Sequence, residues 1–382
     1  MIYLDNNATT QVAPAVLDAM LPYLSASYGN PSSAHFMGTQ TRNAVDKART
    51  QVAALLGGSS PDEIVFTSCG TESDNWAILG GLQARSDKDH IVTTKVEHEA
   101  VRKLVEQLES SGFQVTLLDV DREGQLDLDQ LRGSITADTA IVSIMLANNE
   151  TGVLFPVKEI AEIVKENSDA LFHVDGVNAA GKVPLKVSET QIDLLSISAH
   201  KFHGPKGIGA LYIRDGLVLP SFLTGGGQEQ GRRAGTEAVH QIVGLGAAAE
   251  FAGDLSKMDT VRDLRDRLET GILDQVPNAH LNGTSDPEKR LPNTSNISFE
   301  KTNGEMILSR LNDLGVCVST GSACNAVDHI ASPVLAAMEI PYSYAMGSIR
   351  FSLGRFNTDK EVDVVLRNLP DAIQGLREIS GS

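Results

Sequence analysis

The chain has 382 residues and a formal net charge of −17, enough length to enclose a sizeable core. The acidic charge is spread along the sequence, which sets aside nucleic acid and anionic lipid as partners, since both are bound through basic faces. Three cysteines are too few for a disulfide framework, and no signal peptide or apolar run of ~20 residues is visible, so a cytoplasmic protein is expected.

Val45, Ala48, Val52 and Leu55 keep helical spacing until Gly57-Gly58 stops the helix. From about Glu63 to Arg214 short apolar runs then alternate with amphipathic stretches such as Val157–Asn167. The runs are IVF at 64–66, IVTT at 91–94, VTLLDV at 115–120, AIVSIML at 140–146, LFHVD at 171–175, LLSIS at 194–198 and ALYI at 210–213. They are rich in Val, Ile and Leu and mostly do not alternate, as strands covered on both faces should read. Seven such strands separated by helices predict an α/β domain with a mostly parallel sheet. Downstream, Val261, Leu264, Leu268 and Ile272 mark one long helix, and Ile307, Leu308, Leu311 and Leu314 mark another that ends at Gly315. Short strands are predicted at Thr294–Phe299, Val316–Ser319 and Ser348–Leu353. The expected division is a large domain over 15–255, with 1–14 and 256–382 forming a smaller α+β domain.

Ligands of open α/β sheets sit beyond the carboxyl ends of the strands, and the reactive residues of this chain fall there repeatedly. Thr67–Ser73, Glu97-His98, Asn148–Gly152, Asp175–Asn178 and Ser198–Lys201 each follow a predicted strand, which suggests one shared site. Lys201, in SAHKFHGPKG, is placed to form a Schiff base with an aldehyde, although a surface lysine is the commoner outcome. Asp175 ends a buried strand, where a carboxylate either caps a helix or pairs with a protonated ring nitrogen. Gly70-Thr71 run directly into a helix whose free N–H groups suit a phosphate, and ordinary capping explains them equally well. The segment GGGQEQGRRAGT at 225–236 favours anion handling through Arg232, Arg233 and Thr236. Cys324 lies among small residues in VSTGSACNA, a setting for an accessible nucleophilic thiol rather than a packed one. Cys317 reads as buried in a strand, and Cys69 as packed beside the phosphate loop.

YLDNNATT, GNPSS, SCGTESD, NNETG, HVD, SAHKFHGPKGIGALY, GRRAGTE, TGSAC and IRFSLGR stand in that order along nearly the whole chain. In this the sequence resembles the NifS/IscS-type cysteine desulfurases of the class V aminotransferase group, and SCGTESD and GRRAGTE look most like the nitrogenase-associated branch. The resemblance implies a pyridoxal-phosphate enzyme of fold type I that converts L-cysteine to L-alanine. Lys201 would bond the cofactor, with Gly70, Thr71, Ser198 and His200 around its phosphate, Thr236 supplied by a second subunit of a homodimer, and Asn149 and Ala199 among the other cofactor contacts. Asp175 would face the pyridine nitrogen, and His98 would stack on the ring and assist proton transfer. Asn149 and Arg350, with Asn30 nearby, would receive the substrate carboxylate. Cys324 would accept the sulfur as a persulfide on a mobile loop, serve transiently as an iron–sulfur ligand, and pass the sulfur to an iron–sulfur scaffold protein. The family usually has glutamine where this chain has Asn178, whose shorter side chain would reach the cofactor's phenolic oxygen directly or through water. A selenocysteine lyase or an aminotransferase of the same fold is the alternative.

Overall fold

All seven apolar runs become strands of one sheet in the computed structural model, which describes residues 1–320 and 331–380. These are β1 (Ile64–Thr67), β2 (His90–Thr94), β3 (Gln114–Leu118), β4 (Thr139–Ser143), β5 (Leu171–Asp175), β6 (Leu194–Ser198) and β7 (Gly209–Ile213). Their spatial order is β1-β7-β6-β5-β4-β2-β3. Only β7 is reversed, antiparallel to both β1 and β6, so β1 still runs in the direction of β6. The carboxyl ends of the other six strands therefore share one edge of the sheet. The chain moves outward from β2 to β3 and then returns to place β4 on the other side of β2. That reversal opens a crevice between the ends of β2 and β4.

Both faces of the sheet are covered, with successive residues going to opposite sides. Val65, Ile91, Ile141, Leu171, Leu194 and Leu211 pack with α2 (Gly70–Ala84) and α3 (Glu99–Ser110). Phe66, Val92, Val142, Phe172, Leu195 and Ala210 pack with α1 (Phe36–Leu55), α4 (Val157–Asn167) and α5 (Val239–Gly253). Double coverage explains the unbroken apolar runs. β3 departs from that expectation: as an edge strand it exposes Gln114 and Leu117.

The run at 140–146 also ends early. The Glu97 carboxylate accepts the Met145 N–H through both oxygens, at 3.1 Å each. Asn148 Oδ1 then accepts from the backbone of Glu150 and Thr151 at 2.9 Å, turning the chain so that Asn149 meets the crevice. The departure from strand geometry is thus made by residues that shape the site.

A second apolar cluster is built by α6 (Lys257–Gln275), β8 (Ala279–Leu281), β9 (Thr294–Phe299), α7 (Gly304–Asp313), β10 (Ser348–Ser352) and α8 (Asp359–Ser380). The strands form an antiparallel sheet in the order β10-β9-β8. Ile2 and Leu4 join this cluster, because Ile2–Tyr3 pairs in parallel with Val316–Cys317. Val316–Ser319 therefore forms a shorter strand than its sequence suggests. Among the described residues, no helix is long and apolar enough to cross a membrane.

Candidate active site

A cavity of about 220 Å³ opens at the shared strand edge. Its walls come from Cys69, Gly70, Thr71 and Asp74 after β1, His98 after β2, and Met145, Ala147 and Asn149 after β4. Asp175, Val177 and Asn178 follow β5, and Ser198, His200 and Lys201 follow β6. All five strand ends expected from the sequence meet here.

Lys201 lies in the short turn after β6 and reaches back to the N-terminal segment. Its Nζ donates to the carbonyls of Asn7 at 2.5 Å and Ala8 at 3.0 Å. Burial, then the Arg350 cation, push its pKa down to about 8, while Asp175 and Asp5 pull it upward. An amine so placed keeps a sizeable neutral, nucleophilic fraction near neutral pH.

Asp175 is buried, and its Oδ1 accepts the Val177 N–H at 2.9 Å. Burial raises its pKa, against the pull of His98 and Lys201. Asp74 lies behind it, with its Oδ1 3.6 Å from His173 Nε2. Burial, and after it the Asp175 charge, hold Asp74 well above the usual carboxylate range. Two like charges in one dry place do not both persist. Asp74 is pressed the more strongly toward its neutral form, which leaves Asp175 the better placed of the two to meet a cation in the cavity. His173 bridges Ser143 at 2.9 Å and Ser196 at 3.0 Å, and burial takes it down to about 3, so it stays neutral.

Cys69 caps α2, and Gly70 and Thr71 open its first turn, leaving N–H groups and the positive dipole end toward the cavity. A Cβ at Gly70 would meet Val177 Cγ2 at 2.7 Å and Ser198 Cβ at 3.5 Å. The missing side chain is what lets this backbone approach the opposite wall. Gly70→Ala is therefore expected to weaken pyridoxal phosphate binding by about tenfold, the cost of modest overpacking; a spectrophotometric titration checks this. His98 caps α3, its Nδ1 accepting from Ala100 N at 3.2 Å. Burial in the cavity wall lowers its pKa, and Asp175 opposes that shift.

The remaining candidates lie outside the lining of this cavity. Asn30 is exposed, accepts the Ser32 N–H at 2.9 Å, and is not among the lining residues. Ala199 is buried behind the lining, and Thr236 is exposed outside it. Arg350 stands beside the lining rather than in it, donating to Asn149 O and Asp5 Oδ1 at 2.9 Å each. Its buried Nε has no partner among the described residues. Arg232 and Arg233, expected to handle an anion, make contacts within the chain, with Arg232 Nη2 left without a partner among the described residues. Arg233 is held by both oxygens of Glu72, at 2.8 and 3.0 Å, and Arg232 donates to Asp62 O at 2.9 Å. Sequence reasoning gave Arg233 no acid partner because Glu72 is remote in the chain. Cys324 lies outside the described residues. Cys69 and Cys317 are free thiols, both partly exposed rather than buried.

Two residues not singled out from sequence complete the surroundings. Asn7, from YLDNNATT, donates to Asn149 O at 3.2 Å and Thr294 Oγ1 at 2.8 Å. Lys182 is buried and donates to Asn7 Oδ1 at 3.1 Å and to Asn178 O and Oδ1 at 2.9 Å each. Repetition of polar residues in the motifs was the available signal for Asn7.

An amine of lowered pKa, a buried carboxylate across from it, a helix start and an orphaned amide nitrogen on Asn178 match the four polar parts of pyridoxal phosphate. These are its aldehyde, ring nitrogen, phosphate and phenolic oxygen, and the residues present fit that group. With the doubly covered sheet, they define a pyridoxal-phosphate enzyme of fold type I. The chain belongs to the aminotransferase class-V family, whose model matches residues 2–365. It is 53% identical over 384 residues to a cysteine desulfurase of Trichormus azollae, covering 100% of this chain and 94% of that one. Identity to the cysteine desulfurase NifS of Azotobacter vinelandii is 48% over 381 residues, covering 99% and 94%. The solved structure of a NifS-like protein superposes with a TM-score of 0.92 at 40% identity, covering 98% of this chain and 100% of the other.

Proposed function

We propose that this chain is a cysteine desulfurase that takes sulfur from L-cysteine, holds it on Cys324 as a persulfide, and releases L-alanine. The observation that carries this reading is the shared cavity of the Lys201 amine and the Asp175 carboxylate. When bound, pyridoxal phosphate supplies an electron sink for the negative charge left at the substrate Cα.

Around it, Asp175 would hold a proton on the ring nitrogen, and the start of α2 would hold the phosphate. Asn149 and Arg350 orient the substrate carboxylate; the unpartnered Arg350 Nε supports this role. Lys201 or His98 takes the Cα proton, and the lowered pKa of each suits a base working near neutral pH. The Cys324 thiolate then attacks the substrate sulfur. An S–S bond forms as the C–S bond breaks, and the electron pair stays with the carbon skeleton, which leaves as alanine after protonation. The persulfide passes to an acceptor such as an iron–sulfur scaffold protein.

The same reading has the chain working as a cytoplasmic homodimer, with Thr236 completing the partner's phosphate site. Exposed Leu17, Leu21, Leu24, Tyr28 and Phe36, within one stretch of chain, support such a contact. It also divides the chain into two lobes, supported by the separate cluster around Leu268, although Val334 and Leu335 pack with the core of the large sheet.

Cys324→Ala is expected to reduce sulfide release from cysteine about 10³-fold or more while leaving the visible absorbance band unchanged. Sulfur-labelled cysteine should leave its label on Cys324 of the unmodified enzyme, read by mass spectrometry. Undiminished sulfide release in the variant would refute the assignment.

A further inference from the structure

Lys182 is a buried lysine without a carboxylate. Among the described residues its Nζ meets three neutral oxygens, Asn7 Oδ1 at 3.1 Å and Asn178 O and Oδ1 at 2.9 Å. A cation left among neutral groups in a dry interior is costly, and burial, then Lys201 and Arg350, push its pKa well down. The desulfurase chemistry described above makes no use of it.

Its geometry has a definite effect on one neighbour. Three oxygens surround Nζ, which matches the three N–H groups of an ammonium; a neutral amine would bring only two N–H groups and a lone pair. An amide cannot turn its NH2 toward a donating ammonium without losing that bond and setting donor against donor. Lys182 therefore fixes which end of Asn178 faces it, and Nδ2 is left with no partner among the described residues although Asn178 lines the cavity.

We infer that Lys182 is a positioning residue: it locks the Asn178 amide so that an N–H donor, not an oxygen acceptor, is presented to the phenolic oxygen of the cofactor. This rests on pyridoxal phosphate occupying the cavity. It also explains how asparagine serves where related chains have the longer glutamine. A free asparagine side chain samples both orientations, and the fixed one spends no binding energy on being ordered.

The readout is the pH midpoint of the cofactor's visible band. A donor at the phenolic oxygen competes for the electron pair that holds the proton shared with the lysine nitrogen, so it lowers the midpoint. Lys182→Met should raise the midpoint by about one pH unit, the size of a hydrogen bond to a charged group. Asn178→Ala should raise it equally, and the double variant should go no further, because both changes remove one donor. Additive shifts, or no shift in Lys182→Met, would overturn the proposal. Should Lys182→Met not fold, Asn178→Asp tests the same point with Lys182 in place. The carboxylate satisfies Lys182 yet offers the cavity an acceptor, so the midpoint should rise at least as far, and an unchanged midpoint overturns the inference. Absence of any visible band in the unmodified protein after adding pyridoxal phosphate would be a separate result, removing the cofactor reading itself.

Discussion

Lys201→Ala is expected to abolish the visible band of the cofactor-loaded protein and to slow alanine formation from cysteine about 10³-fold or more. The side chain has two duties in one place. It anchors the cofactor covalently, and it stands ready as a base once substrate has displaced it. Among the described residues no second lysine lines the cavity to take over the anchoring, and the nearby Lys182 is held by Asn7 and Asn178. The backbone carbonyls of Asn7 and Ala8 aim the amine without neutralising it. Because the neutral amine is the form that attacks an aldehyde, reconstitution of cofactor-free protein should speed up as pH rises through about 8, and level off above it. A rate that falls over that range, measured by stopped-flow absorbance, would contradict the site as described. A variant that keeps its band would contradict the role of Lys201 outright.

Asp175→Asn is expected to lower kcat about 10²-fold or more while leaving the covalent attachment of the cofactor in place. The substitution keeps size and shape, and the new amide oxygen can still accept the Val177 N–H now bound at 2.9 Å. What disappears is the negative charge that keeps a ring nitrogen protonated. Asp74 does not substitute for it, since burial opposes its charged form. Steady-state kinetics beside the absorbance spectrum separate the two effects. A kcat within a few-fold of the unmodified enzyme would mean the ring is oriented some other way.

The large sheet was legible because burial on both faces leaves a plain sequence trace. LFHVD and LLSIS match their strands residue for residue, and the chemistry-bearing residues follow them immediately. The edge strand at 114–118 and the shortened one at 139–143 were misjudged for local reasons. One lacks a covering neighbour, and the other is drawn out of register by Glu97, 48 residues away. Asp175 and Lys201 could be found because each ends a strand. Lys182 could not, because its partners are amide oxygens, which have no periodicity and whose facing requires coordinates. The pairing of Arg233 with Glu72 was hidden by 161 residues of separation.

The first few residues have a consequence for synthesis. Ile2–Tyr3 pairs with Val316–Cys317, Asn6 N donates to Ser352 O at 3.0 Å, and Asn7 and Ala8 cradle the Lys201 amine. During synthesis Ile2, Tyr3 and Asn6 precede their partners at 316–317 and 352 by more than three hundred residues, whereas Asn7 and Ala8 meet Lys201 much earlier in the chain. The segment that aims the Lys201 amine is thus secured on its far side only by residues translated near the close of the described chain.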